Sequence, residues 1–252
     1  MRLGIPWRPS ADRARRDGWS LSIRVAFIWA VSQVSLVLLL TRPNPREHAV
    51  AMMASGLFVL WCVLGGWLMW RYRHAFARRV GRWRMHWQVK FVLMCTLLAL
   101  IEEAITTTMT NMAPVFGVRV GEAYITASTN YLDVVLGHSV VVFVPMFVAW
   151  AWLLSRWDFA PRQVMVLFGL TGTLAEAGSF GWHNLLGWGF WVLVYGLMVY
   201  LPAFALPPRA NVAPPRLVHY PLAMLLPFVL AAPVAVIVGL LHPVKIHFEP
   251  LP

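Results

Sequence analysis

Apolar runs of roughly 20 residues, the length that carries a helix across a bilayer, recur along this chain near 20–41, 48–70, 88–112, 131–155, 162–180, 183–205 and 219–241. A chain with that many spanning-length runs has few ways to fold outside a membrane. The short alternating segments of a β-barrel are not seen. The chain is 60% hydrophobic and 12% charged, and the charged share is about half that of a soluble domain. Prolines punctuate the connections in "RPNPRE", "FAPRQ", "LPPRANVAPPR" and "LHPV", where a missing N–H and a fixed φ stop helices. The reading is an all-α integral membrane protein with about seven transmembrane helices in one bundle over 20–241. A basic cytoplasmic leader, 1–19, precedes it and a short external tail, 242–252, follows. No internal repeat is visible, so an inverted-repeat transporter gains no support. Cys62 and Cys95 lie inside apolar runs and read as packing residues.

The net charge of +11 suggests nucleic acid until its placement is considered. Arg2, Arg8, Arg13, Arg15, Arg16 and Arg24 precede or open the first run, and seven more bases crowd residues 71–90. With the connections at 156–162 and 206–218, 17 Lys and Arg fall on one side. Only Arg42, Arg46, Arg119 and Lys245 fall on the other. This bias puts the N-terminus in the cytoplasm and the C-terminus outside, as in the cytoplasmic membrane of a prokaryote. The first run lacks a small-x-small cleavage pattern and reads as a retained helix. In 71–90 arginines mix with Tyr72, Phe76, Trp83 and Trp87, a pattern suited to anionic lipid headgroups rather than nucleic acid.

Three of the ten acids fall well inside apolar runs: Glu102, Glu103 and Glu176. At 1.5 Å per residue Glu102 lies about 18 Å beyond Lys90 and Glu176 about 21 Å beyond Arg162. Both depths are past the middle of a hydrocarbon layer of roughly 30 Å, toward the outside. Thr106 shares a helical stripe with Glu102, and Thr107 shares one with Glu103. Gly169, Gly172 and Thr173 offer close helix approach beside Glu176. No Lys or Arg in these runs matches that depth. The acids are therefore partly protonated, reached by water, or neutralised by a cation. Intramembrane ionisable groups mark function by default. His138, His183, Asn111, Asn130, Asp133 and Asn184 lie further toward the outside. Histidines and carboxylates are ligands for zinc or another divalent metal, which makes Glu102, Glu103, Glu176, His138 and His183 a candidate metal set. No His-Glu-x-x-His motif is present.

The order of Glu102–Glu103, then His138, then His183 with Asn184 resembles the membrane-embedded CAAX prenyl endopeptidase and bacteriocin-processing family. That family carries Glu-Glu-x-x-x-Arg, Phe-x-x-x-His and His-x-x-x-Asn or Asp. Here Thr107 stands at the arginine position, Val134 where Phe is expected, and Gly187 at the Asn position with Asn184 nearby. The resemblance implies that Glu102 or Glu103 activates water while His138 and His183 stabilise an oxyanion. Three functions remain open: a membrane-embedded hydrolase acting on a peptide or lipid-linked substrate, a proton- or cation-binding transport protein, and a non-catalytic subunit of a larger complex.

Overall fold

The computed structural model describes residues 20–209, 212–244 and 246–248. The leader 1–19 with its five arginines, Lys245 and the tail end 249–252 lie outside the described residues. Among the described residues all regular structure is helical, and the only β pairing is isolated bridges.

Helix α1 spans Ser20–Leu40. Helix α2 spans Pro45–Gly81. Its start is set by Asn44, whose side chain accepts from the Arg46 and Glu47 N–H groups, and by Pro45 in the first turn. This is a standard way to satisfy orphan donors. A π-helical stretch, Phe58–Gly65, interrupts α2. Helix α3 spans Trp87–Asn111 and a 3₁₀ turn Ala113–Phe116 follows. Helices α4, Tyr131–Gly137, and α5, Val140–Arg156, come next, then α6, Pro161–Phe180. A second 3₁₀ turn, Trp182–Gly187, leads into α7, Trp188–Phe204. Helix α8, His219–Leu241, is last.

Four helical stretches, Ser20–Leu40, Pro45–Gly81, Trp182–Phe204 and His219–Leu241, are long and apolar enough to cross a membrane. The bent pair α4–α5 makes a fifth if taken as one span. These are the dimensions of a multi-pass membrane protein. Helices α3 and α6 have 25 and 20 residues but are not among the spanning candidates. They carry the glutamates, threonines and glycines that lower their apolar character.

Two of the expected runs differ in shape. Helix α2 does not stop near residue 70 but continues for 37 residues, a length of about 55 Å, so its arginine-rich end projects beyond a hydrocarbon layer. The run 131–155 is two helices meeting at 46°. Both the His138 and Ser139 N–H groups donate to the Val134 carbonyl, so the last turn of α4 widens to an i→i+5 closure and the helix ends there.

Helix α7 is the centre of the bundle, with 72% of its spanning window buried against 11% for α1 and for α8. It packs on α1, α2, α3 and α6. The α6–α7 contact is close because glycines face backbone from both sides. A Cβ on Gly169 would stand 2.5 Å from the Val192 carbonyl oxygen, and one on Gly196 would stand 2.6 Å from that of Met165. Trp61, in the π-helical stretch, is buried and donates its indole N–H to the Val194 carbonyl at 2.9 Å. Both cysteines are buried free thiols. Helices α1 and α8 turn Leu21, Ile28, Leu36, Val229, Leu240 and Leu241 outward.

Candidate functional site

Glu102 and Glu103 sit on consecutive positions of α3, so they point about 100° apart around it. Both are buried, at 6% and 5% exposure. Thr106, one turn on, donates to Glu102 Oε1 at 2.9 Å while also lying 3.1 Å from the Glu102 carbonyl. Glu103 is held from two other elements. Thr126 Oγ1, in the loop before α4, donates to Oε1 at 2.9 Å. Ser139 Oγ, at the α4–α5 break, donates to Oε2 at 2.6 Å. The break in the run 131–155 thus puts a hydroxyl where a continuous helix would not.

Glu176, near the end of α6, accepts from the Tyr195 hydroxyl of α7. Glu102, Glu103 and Glu176 lie within electrostatic range of one another, and the half-buried Tyr195 is within range of all three. From the sequence, the depths of the three acids allow them to converge if α3 and α6 are neighbours. Both helices pack on α7, whose Tyr195 bonds Glu176 and lies within range of the α3 acids. Space for Tyr195 comes from Gly172 on α6, where an added Cβ would lie 2.1 Å from the Tyr195 ring. Thr107, one turn beyond Glu103, is buried with its hydroxyl oxygen unpartnered among the described residues.

A second polar group lies next along the chain. Asn130 caps α4 by accepting from the Leu132 and Asp133 N–H groups at 3.0 and 3.4 Å. Asp133 is therefore in the first turn, with Oδ2 3.0 Å from Nδ1 of His247. His138 ends α4, and its ring centroid is 5.1 Å from that of His247. His242 stands 6.4 Å from His138 and 6.3 Å from His247 by ring centroids. His247 follows α8 and reaches back because its N–H donates to the Ala127 carbonyl at 2.7 Å. Phe248 stacks on Tyr124 with centroids 4.7 Å apart.

The remaining sequence-derived candidates are placed separately. Asn111 Nδ2 donates to the Thr129 carbonyl at 3.0 Å and ties α3 to the loop before α4. His183 and Asn184 lie on the 3₁₀ turn after α6, where Asn184 Nδ2 reaches the Gly181 carbonyl at 3.2 Å. His183 is exposed, and its ring neighbours are Asn184 and Gly181. The metal set Glu102, Glu103, Glu176, His138 and His183 does not assemble. Among the described residues the one group with metal-ligand spacing is Asp133, His138 and His247. The physical reason is that Glu102 and Glu103 diverge by about 100° around α3, while His183 is held on an exposed turn.

At the opposite, arginine-rich end, a cavity of about 490 Å³ is lined by Arg78, Arg82, Trp87 and Lys90 together with the end of α7 and the chain after it. Arg73 lies over the Trp70 and Phe204 rings, 4.9 and 5.7 Å from their centroids.

No family model matches the chain, and neither a curated protein nor a solved structure matches it.

Proposed function

We propose that this protein is a membrane-embedded hydrolase acting on a peptide or lipid-linked substrate, with Glu103 as the base that activates water. The observation that carries the reading is the double anchoring of Glu103. Hydroxyls from two separate elements fix both its oxygens, and the buried, unpartnered Thr107 hydroxyl lies one turn away. A fixed carboxylate beside a free polar atom suits a bound water, which needs two or more polar partners. Glu103 takes a proton from that water as it attacks a carbonyl. A neighbouring carboxyl that retains its proton, Glu102 or Glu176, passes it to the leaving group, and the two acids exchange a proton to reset.

In this reading the eight helices make seven bilayer crossings, with α4–α5 counted as one, the N-terminus cytoplasmic and the glutamates in the outer half as an intramembrane cluster. The basic end of α2 and the cavity at Arg78, Arg82 and Lys90 then face anionic headgroups of the inner leaflet. The resemblance to the CAAX prenyl endopeptidase and bacteriocin-processing family agrees in the role of the glutamate pair. The oxyanion role it implies for His183 gains no support from an exposed turn.

The test is turnover of the purified protein in liposomes, with peptide and lipid-linked substrates in ¹⁸O-labelled water. Hydrolysis places ¹⁸O in the product, and Glu103→Gln lowers the rate by about 10²–10⁴-fold, as expected for loss of a general base. An unlabelled product, or full activity in Glu103→Gln, rejects the assignment. Dye-detected proton flux without labelled product would assign the cluster to transport instead.

A further inference from the structure

Asp133, His138 and His247 take no part in the glutamate chemistry, yet they have the geometry of a metal centre. One carboxylate oxygen and two ring nitrogens lie within 4.8 Å of one another. Two imidazoles on a tetrahedral zinc, with Zn–N of about 2.0–2.1 Å, place their ring centres roughly 5 Å apart. The observed separation is 5.1 Å. Neighbouring ligand atoms on the same tetrahedron stand about 3.3 Å apart, against 3.0 Å for Asp133 Oδ2 and His247 Nδ1. A second observation points the same way. His138 Nε2 is buried and has no hydrogen-bond partner among the described residues, an expensive state for a ring nitrogen unless its lone pair is engaged.

The surroundings orient each ligand. The Ser128 side chain interacts with Asp133 and its Oγ accepts from the Asn130 N–H, and the Asn130 cap fixes the turn that carries Asp133. The bond from the His247 N–H to Ala127 sets the backbone behind the ring. Such outer partners are a regular part of metal sites. Two imidazoles and one carboxylate favour zinc or a neighbouring first-row divalent ion over magnesium or calcium, which prefer all-oxygen shells.

We propose that Asp133, His138 and His247 bind one divalent transition-metal ion of the zinc class, with a fourth position open to water. The ion ties the segment after α8 to the α4–α5 break, one residue from the Ser139 hydroxyl that holds Glu103. This site stands independently of the hydrolase reading, since no step at the glutamates is needed for it.

The experiment is a Zn²⁺ titration of the tag-free, chelator-stripped full chain in detergent, in competition with a chromophoric chelator. One ion per chain is expected. His138→Ala, His247→Ala and Asp133→Asn each weaken binding by about 100-fold or more, and Ser128→Ala weakens it by roughly tenfold. His183→Ala leaves it unchanged. Zn²⁺ also raises the Tm of the natural chain but not that of the ligand variants. If His247→Ala does not fold, Asp133→Asn and Ser128→Ala still decide the matter. A natural chain with no Zn²⁺ affinity tighter than about 10 µM overturns the proposal. So does affinity that survives in the folded ligand variants or falls equally in His183→Ala.

Discussion

Single hydroxyls set the geometry of the acidic group. Glu103 depends on Ser139 and Thr126, Glu102 on Thr106, and Glu176 on Tyr195. A hydrogen bond to a charged group contributes about 1.5–3 kcal/mol, so Ser139→Ala is expected to lower kcat roughly tenfold or more in the ¹⁸O assay while the chain stays folded. An unchanged kcat would mean that Glu103 needs only Thr126. Outside the helices, Glu122 accepts from the Arg119 N–H at 2.8 Å and from its guanidinium at 3.2 and 3.3 Å. The Arg119 N–H, then the guanidinium, hold the Glu122 carboxyl below the usual glutamate range. For a lowered acid, the stabilisation is complete above the ordinary value of about 4.3. It is lost as pH falls through the lower folded-state value. The Arg119 amide resonance should therefore titrate with a midpoint below that of a free glutamate, and Glu122→Gln should remove the step. A midpoint at the ordinary value would count against the tie. The glutamates were conspicuous in the sequence because an acid inside an apolar run has few innocent explanations. Their hydroxyl partners were not, since Ser139 and Thr126 lie 36 and 23 residues from Glu103 and a lone hydroxyl in a helix or loop carries no signal. His247 was missed for a related reason. It is one of eight histidines, and only the backward path of the chain distinguishes it from His183.

At the level of elements, glycines control how helices meet. Gly169 and Gly196 admit backbone on either side of the α6–α7 contact, and Gly172 admits the Tyr195 ring. Gly169→Ala and Gly196→Ala would force backbone apart, and each should cost about 1–3 kcal/mol, the usual range for overpacking. Thermal unfolding in detergent measures this, and an unchanged Tm at both positions would contradict the close contact. Gly172→Ala is different in kind. The atom displaced belongs to Tyr195, so kcat should fall by more than the loss of folded protein explains. The small-residue face of α6 was readable from the spacing of Gly169, Gly172 and Thr173, but its partner was not. A glycine stripe says that something approaches closely without saying what. Helix existence was readable because apolar length alone requires it. The break at His138–Ser139 was hidden by the apolar "VVVFV" that follows, which reads the same in a bent or a straight helix.

For the whole molecule, the distribution of bases makes the orientation testable. Reporter fusions after residue 80 and after His247 should report opposite faces of the membrane, and one face for both would reject the seven-span arrangement. The spanning-length apolar helices follow from the sequence. Their order from centre to edge does not, because α1, α7 and α8 are all apolar enough to span, yet 72% of the window that contains α7 is buried against 11% for the other two. Neighbours, rather than composition, decide that. The return of His247 to Ala127 and Asp133 bears on how the protein is made. On the ribosome, the eight described helices all emerge before His247 does. A chain stalled or cut after α8 would thus carry all of these helices and its three glutamates while lacking one corner of the Asp133, His138 and His247 group. For a cell, such a product would pass any check that senses membrane insertion alone, and only a check on that corner could tell it from a chain that carries His247.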